Sequence, residues 1–165
     1  MKWITHQATA VAAALVLNLP PAGVLAACAG AVLPDVLDQR IARLAGTGRG
    51  RQRAFNRIHR GATHWFGWWV ALFLGALVAP LTPAMQTTLT GLGFGGLSHV
   101  TLDMLTPHGV PWQPFSRSGR FSLNLCSTGS PGEYCFLACV VAAVWFGMGE
   151  DLLRLVRRMG QGGLF

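Results

Sequence analysis

The sequence is poor in charged residues and in the polar side chains that carry most enzyme chemistry. Only 12% of its 165 residues are charged and 52% are hydrophobic, whereas roughly a quarter of the residues in soluble domains are charged. Acidic residues number six, histidines five and tyrosine one. This scarcity argues against an ordinary soluble enzyme and favours a protein embedded in a membrane. The length predicts a single domain over residues 1–165.

Cysteine is also scarce, with four residues and no Cys-x-x-Cys pair. Cys135 and Cys139 are four positions apart and would share one helix face. We interpret them as small apolar residues in a packed membrane helix, and no disulfide framework is predicted. Residues 25–28 are similar to a lipoprotein signal that ends at a modified cysteine. However, the diproline at 20–21 interrupts the apolar stretch, and the apolar run continues past Cys28. We therefore expect no cleavage at Cys28.

Positive charge is concentrated in one part of the chain. The net charge is +7, and the arginines between the apolar segments lie at positions 40, 43, 49, 51, 53, 57 and 60. Short cytoplasmic loops of membrane proteins carry such an excess. We therefore predict that residues 36–63 are a basic cytoplasmic loop with a flexible centre at 46–50. No nucleic-acid recognition motif accompanies the charge, so nucleic acid is not a predicted partner.

The apolar segments predict two helical hairpins. Residues 7–19 and 22–33 form the first, because the intervening diproline cannot continue a helix. Residues 64–78 and about 87–105 form the second, with a proline-containing turn between them. Each segment is close to or below the roughly 20 residues that span a bilayer. Glycines at 91, 93, 95 and 96 would let neighbouring helices approach closely.

A last helix is predicted from Ser130-Pro131-Gly132-Glu133, which has a capping serine, a proline at the first helical position and a glutamate two residues later. It runs to about residue 159, and a Pro/Gly-rich loop at 106–130 precedes it. The predicted fold class is all-α, an integral membrane helical bundle of four to five short helices in two hairpins plus a C-terminal helix. The predicted protein crosses the membrane several times.

All five histidines and half of the acidic residues lie at the ends of the apolar segments. They form five groups: His6, Asp35 with Asp38, His59 with His64, His99 with Asp103, and His108. Neutral imidazole and carboxylate are the natural ligands of zinc and related divalent metals. Because each hairpin returns the chain to the same membrane face, we expect these groups to meet there.

The pair His99 and Asp103 gives the strongest signal, since a spacing of four puts both side chains on one helix face. The simpler alternative is a His–Asp pair that satisfies a buried polar need. His59 and His64 flank Gly61, and the sequence does not decide which of the two is a ligand. The predicted metal ligands are His6, Asp35, His59, His64, His99 and Asp103. Asp38 is a weaker candidate, as a solvated acid or a cap, and His108 is more typical of a loop residue.

The candidate catalytic residues are Asp35 and Arg60. Zinc lowers the pKa of a bound water to about 7, and Asp35 is either a ligand or the general base. Arg60, with Arg57, would hold an anionic phosphate, although membrane-surface charge explains both arginines equally well. Arg60→Ala is therefore expected to spare the metal and weaken substrate use. The favoured substrate is a phosphoester at the membrane surface, either a small molecule or a lipid.

Other functions remain open at this point. A small non-enzymatic membrane protein with a structural metal site, or a membrane scaffold, would show the same ligands. A transporter is disfavoured, because its ionisable residues would lie in the middle of the spans rather than at their ends. The sequence does not indicate an oligomeric state.

Several short motifs together resemble a known family. They are Thr5-His6, Gly30-Ala31-Val32-Leu33-Pro34-Asp35, His59-Arg60-Gly61-x-Thr63-His64, Ser98-His99-x3-Asp103 and Leu105-Thr106-Pro107-x-Gly109-Val110. This combination, which covers most of the chain from His6 to about Glu133, resembles the YdjM type of bacterial membrane-bound, metal-dependent hydrolases. The resemblance implies an inner-membrane hydrolase and supplies no substrate.

A more distant likeness is to helical zinc enzymes of the phospholipase C and P1-nuclease type. It would place His6, Asp35, one of His59 and His64, His99 and Asp103 around one or two zinc ions. The chain departs from that type downstream of Asp103, where no second histidine–carboxylate motif follows. A full trinuclear cluster is therefore not predicted.

Overall fold

A computed structural model of the protein describes residues 1–115 and 119–160, with side chains as far as residue 149. This part of the chain is mainly helical, which confirms the all-α prediction. The seven α-helices are α1 (Trp3–Val16), α2 (Pro21–Gly30), α3 (Leu33–Leu44), α4 (Gly48–Ile58), α5 (Phe66–Val78), α6 (Pro83–Met104) and α7 (Pro131–Gly160). A short 3-10 turn (Ala62–His64) precedes α5, and two short strands, β1 (Val110–Pro111) and β2 (Arg120–Phe121), lie between α6 and α7.

The helices predicted from apolar segments correspond to α1, α2, α5, α6 and α7. Pro21 is the first residue of α2, a position where proline has no amide hydrogen bond to lose. α6 begins earlier than predicted, at Pro83 rather than near residue 87. Thr82 explains the difference, because its side chain accepts a hydrogen bond from the Met85 amide at 3.4 Å and caps the helix.

The prediction of a loop at residues 36–63 is wrong, because this segment contains most of α3 and all of α4. Arginine is a good helix former, and in α3 the arginines are exposed while Asp35, Asp38 and Ala42 form the buried face. The predicted flexible centre reduces to a break at residues 45–47, since α4 begins at Gly48. High charge density identified a surface segment correctly but not its backbone conformation.

α6 is the central helix and packs against α1, α2 and α5. Its glycines make this possible. A Cβ at Gly91 would lie 2.8 Å from the Cβ of Ala26 in α2, and one at Gly93 would lie 2.7 Å from the Phe73 amide nitrogen in α5. At Gly95 a Cβ would lie 2.7 Å from the Ala31 amide nitrogen. The predicted close approach of helices at these glycines is therefore confirmed.

Both predicted hairpins form, because α1 packs against α2 and α5 packs against α6. α7 packs against α1 and is tied to its start by Glu133. The Glu133 carboxylate accepts hydrogen bonds from the Thr5 hydroxyl at 2.8 Å and from the Lys2 amide at 2.5 Å. These contacts hold the first turn of α1, which carries His6, at one end of the bundle.

The segment between α6 and α7 lies over that same end. β1 and β2 pair antiparallel, with Val110 opposite Phe121, so the predicted loop at 106–130 contains a short ladder that the sequence did not reveal. The amides of Leu123 and Leu125 donate to the carbonyls of Met104 and Leu105 at 2.7 and 2.8 Å. The segment is thus fastened to the C-terminal end of α6, next to Asp103.

One helix is long and apolar enough to cross a bilayer within the described residues, the part of α7 from Pro131 to Gly149. Two bent helix pairs would raise the number of spans to three if each pair counts as one. They are Pro21–Gly30 with Leu33–Leu44, bent by 46°, and Gly48–His64 with Phe66–Val78, bent by 43°.

Candidate metal centre

The packing of α2 on α6 fixes the orientation of His99. At Gly95, one turn before His99, the α6 backbone comes so close to the end of α2 that a side chain would collide with it. The His99 Nδ1 atom consequently lies 2.6 Å from the Ala31 carbonyl oxygen. Because a carbonyl only accepts, Nδ1 carries the proton and Nε2 presents a lone pair. His99 is fully buried.

His64 presents its Nε2 atom in the same way. The Thr63 hydroxyl donates its only proton to Asp38 Oδ1 at 2.5 Å, so its oxygen is an acceptor for His64 Nδ1, which lies 3.0 Å away. The Nε2 atoms of His64 and His99 then face each other at 3.2 Å. Two lone pairs at this distance repel each other unless a proton or a metal cation lies between them.

Two carboxylate oxygens complete the group. Asp35 Oδ1 lies 3.3 Å from His64 Nε2 and 3.8 Å from His99 Nε2. Asp103 Oδ2 lies 3.7 Å from each of these two nitrogens. In a tetrahedral zinc site with bonds near 2.0–2.1 Å, neighbouring ligand atoms are about 3.3–3.4 Å apart. Asp35 Oδ1 and the two imidazole nitrogens therefore have a spacing close to that of three ligands around one small divalent ion, and Asp103 lies beside them.

His6 lies beside this group. Its ring stacks on His99, with ring centroids 3.9 Å apart, and its Nε2 atom is 3.6 Å from Asp103 Oδ1. Within the described residues, His6 Nδ1 and Asp35 Oδ1 are buried without a hydrogen-bond partner. Buried polar atoms normally have one. The unsatisfied Asp35 Oδ1, which lies beside the Nε2 atoms of His64 and His99, fits a bound cation.

Asp38 lies at the centre of a supporting network. It is 1% exposed, and its Oδ2 atom is 3.2 Å from His59 Nδ1 and 3.5 Å from His64 Nδ1. The interpretation of Asp38 as a solvated acid is therefore wrong. Its position three residues after Asp35, which puts both carboxylates on one helix face, was the signal that pointed to it. Asp38 orients two imidazoles, as carboxylates commonly do behind metal ligands.

His59 lies at the edge of the group. Its Nδ1 atom is 3.6 Å from Asp35 Oδ1, and its side chain is 31% exposed, whereas that of His64 is fully buried. The structure thus separates the two histidines that the sequence left equivalent. His64 faces the interior of the group and His59 faces its opening.

Arg60 is buried against Asp103 rather than extended into solvent. Its guanidinium donates to Asp103 Oδ1 at 2.9 Å and to the Thr106 hydroxyl at 2.7 Å. The amino group of Met1 lies 3.1 Å from the same Asp103 oxygen. Arg60 has a positive φ of 56°, which brings its backbone amide to 3.2 Å from Asp38 Oδ2. It therefore connects the two carboxylates that hold the histidines.

Three overlapping groups of potential metal ligands result, each with ligand atoms within 4.8 Å of one another. They are His6 with His99 and Asp103, Asp35 with His64 and His99, and Asp38 with His59 and His64. We call these residues together the His/Asp cluster. It contains all six residues predicted as metal ligands, and Asp38 in addition. His108 lies outside it, exposed in the segment after α6.

Two further contacts were not foreseen from the sequence. The Trp3 indole donates to Asp35 Oδ2 at 2.7 Å, which leaves Oδ1 directed at the histidines. Thr106 accepts from Arg60 and donates to the Asp103 carbonyl at 2.9 Å. Neither residue type signals a metal site by itself. Only their long-range contacts show that they position ligands.

The family model described as YdjM inner membrane protein matches residues 1–156. No curated protein and no solved structure matches the chain. The family match covers the whole His/Asp cluster and confirms the resemblance seen in the short motifs. The chain therefore belongs to the YdjM inner membrane protein family.

Proposed function

We propose that this YdjM-family protein is a membrane-bound hydrolase that uses a divalent metal ion, with zinc as the preferred metal. The observation that carries the proposal is the 3.2 Å separation of the Nε2 atoms of His64 and His99, beside the unsatisfied Asp35 Oδ1. Two imidazoles and two carboxylates suit zinc, whereas magnesium and calcium prefer oxygen ligands alone.

A bound metal would lower the pKa of a water molecule towards 7 and stabilise negative charge on substrate oxygens. Asp35 is the residue best placed to handle the proton. Its side chain is 12% exposed, more than those of His64, His99 and Asp103, so it borders the opening of the cluster. Trp3 holds one Asp35 oxygen and leaves the other directed inward. Asp35 acts either as a ligand or as the general base.

The remaining residues keep the ligands in place. Ala31 fixes the ring of His99, Asp38 and Thr63 fix that of His64, and Arg60 neutralises Asp103. Such supporting contacts typically change metal affinity or activity by roughly 10- to 100-fold when they are lost. Arg60 thus has a positioning role that the sequence did not suggest, in addition to its predicted role in holding an anion.

The proposed substrate is a phosphoester, of a small molecule or a lipid, at the cytoplasmic face of the inner membrane. In the proposed topology the chain crosses the membrane several times, and the basic helices α3 and α4 lie on the cytoplasmic side under the positive-inside rule. The His/Asp cluster, which includes Asp35 and Asp38 of α3, then lies at that surface.

The test compares two histidine variants of the full chain in detergent or nanodiscs. His99→Ala should lose both bound metal and hydrolysis of a panel of esters and phosphoesters, because His99 belongs to two of the three ligand groups. His108→Ala is the matched control for metal content, since this histidine lies outside the cluster. Full metal content and full activity in His99→Ala would refute the proposal.

A structural metal site is the second candidate function. Four protein ligands close the shell of a structural zinc ion, whereas catalytic zinc keeps one position for water. Three ligand atoms of one group are present here, from Asp35, His64 and His99, and Asp103 Oδ2 lies 3.7 Å from both imidazole nitrogens. A stoichiometric metal whose removal lowers the unfolding temperature, without hydrolysis of any substrate in the panel, would favour this role and a scaffold function.

A further inference from the structure

A pocket of about 450 Å³ borders the His/Asp cluster. Its described lining residues are Met1, Asn56, His59, Arg60, His108, Arg120 and Thr128. This group contains two arginines and two histidines but no carboxylate. The size is in the range of small-molecule sites, which are about 300–1,000 Å³. We call it the cationic pocket.

The cationic pocket and the cluster share residues. His59 contacts Asp35 and Asp38, and Arg60 contacts Asp103, so these two side chains form the boundary between the two sites. A group bound in the pocket against Arg60 would therefore lie next to the ligand atoms.

Arg120 is held at the pocket by the short ladder between α6 and α7. Its Nη2 atom donates to the Arg60 carbonyl at 2.9 Å and to the Gly109 carbonyl at 3.3 Å. Gly109 has a φ of 57° and lies so close to the Phe121 backbone that a Cβ would overlap it. The ladder thus requires glycine at this position and places the two arginines side by side.

The positive charge of these arginines is only partly compensated. Burial and the charge of Arg60 lower the pKa of Arg120, while Asp103 acts in the opposite direction. Asp103 is already shared between Arg60 and the Met1 amino group. Two arginines beside one carboxylate that the Met1 amino group already shares favour a further anion.

We propose that the cationic pocket binds a terminal phosphate group of the substrate, with Arg120 as its principal contact. The proposal rests on the hydrolase function and specifies its substrate class as a phosphomonoester. A terminal phosphate carries about −1.5 to −2 charges at neutral pH and offers three acceptor oxygens, which matches an arginine pair better than a diester with a single charge. Arginine binds such groups through two parallel hydrogen bonds.

Direct binding measurements distinguish the two phosphate types. Methyl phosphate and dimethyl phosphate differ by one methyl group and one charge, and each is titrated into detergent-solubilised full-length protein by calorimetry. Wild type should bind methyl phosphate at least tenfold more tightly. Arg120→Gln should weaken that binding by about 10- to 100-fold, as expected for loss of hydrogen bonds to a charged group, with unchanged metal content.

Arg49→Gln is the matched control, because it removes one positive charge from exposed helix α4 outside the pocket. It should leave methyl phosphate affinity within about twofold. Arg120→Lys keeps the charge but not the planar guanidinium group, and it should give an intermediate loss of methyl phosphate affinity. If Arg120→Gln does not fold, Arg120→Lys alone decides, and an affinity equal to wild type would overturn the proposal.

Equal losses in Arg49→Gln and Arg120→Gln, or equal affinity for the two phosphates, would also overturn it. The titrations are run on metal-loaded and metal-depleted protein. The phosphate-binding proposal and the hydrolase proposal can then be refuted independently of each other. Phosphate binding without any hydrolysis supports the pocket and contradicts the hydrolase. Hydrolysis of uncharged esters without phosphate binding does the reverse.

A competition experiment identifies the source of the phosphate. Glycerol 3-phosphate represents a soluble substrate, and nanodiscs containing phosphatidic acid, compared with phosphatidylcholine alone, represent a lipid headgroup. Displacement of methyl phosphate by either probe, dependent on Arg120, supports the pocket and assigns its substrate. Displacement by neither contradicts a substrate phosphate site.

Discussion

The His/Asp cluster and the arginines of α3 and α4 use polar side chains in opposite ways. In the cluster, His64, His99 and Asp103 are almost completely buried, and each has a defined partner. In the two helices, arginines such as Arg40, Arg49 and Arg53 are exposed. The difference shows that, in a chain with so few charges, burial and pairing mark the chemical site better than charge density does.

The largest effect that separates the two regions is expected from Arg60→Ala. Loss of this guanidinium leaves Asp103 less well paired in a buried position, which should cost about 3–5 kcal/mol of unfolding free energy in metal-depleted protein. A bound cation would replace part of the lost charge, so the loss should be smaller with metal. This replaces the expectation from sequence that the variant affects substrate use alone.

Unfolding of wild type and Arg60→Ala, each with zinc and with a chelator, measures this difference. Arg60→Lys, which keeps the charge, should lose less stability than Arg60→Ala. An equal loss with and without zinc would show that Arg60 does not act on the metal ligands.

The next effect concerns the glycine contacts that position His99. Gly95→Ala places a Cβ against the Ala27 carbonyl and the Ala31 amide, and such overpacking should cost about 1–3 kcal/mol. It should also weaken metal binding, since Ala31 orients His99. Gly75→Ala in α5 is the control, because a Cβ there meets nothing within 4 Å. Chemical denaturation and metal titration of both variants test the prediction, and equal behaviour would contradict it.

The smallest effect is expected in the exposed arginines. Arg53→Gln should change the unfolding free energy by less than about 0.5 kcal/mol and leave metal content unchanged, because surface substitutions without buried contacts seldom do more. Denaturation and metal analysis of this variant measure both quantities. A loss comparable to that of Arg60→Ala would mean that the two regions do not differ as their burial indicates.

Local sequence patterns predicted a large part of the site. The apolar segments and their prolines indicated α1, α2, α5, α6 and α7, and a spacing of four put His99 and Asp103 on one face of α6. The hairpins then brought His6 and Asp35 to the same end. These inferences succeeded because each depends on residues a few positions apart, or on a short hairpin that returns the chain to the same end of the bundle.

The failures have a common physical cause. The sequence predicts a loop in place of α3 and α4, because arginine-rich segments without long apolar runs look alike whether they are helical or irregular. The sequence favours other ligands over Asp38 because the partners of its carboxylate, His59, Arg60 and Thr63, lie more than 20 residues away. Both errors concern burial on one side of a surface helix, which neighbouring elements determine.

Helix periodicity and ligand chemistry are local properties, so they indicated the helical segments of the apolar core and the residues from which a metal centre can be built. Short motifs indicated the membrane family. Which atoms face each other depends on the packing of the helices. The contact of Arg60 with Asp103, 43 residues away, and of Arg120 with Arg60, 60 residues away, are examples. Such contacts depend on how the helices pack, which for α6 is set by backbone approach at its glycines.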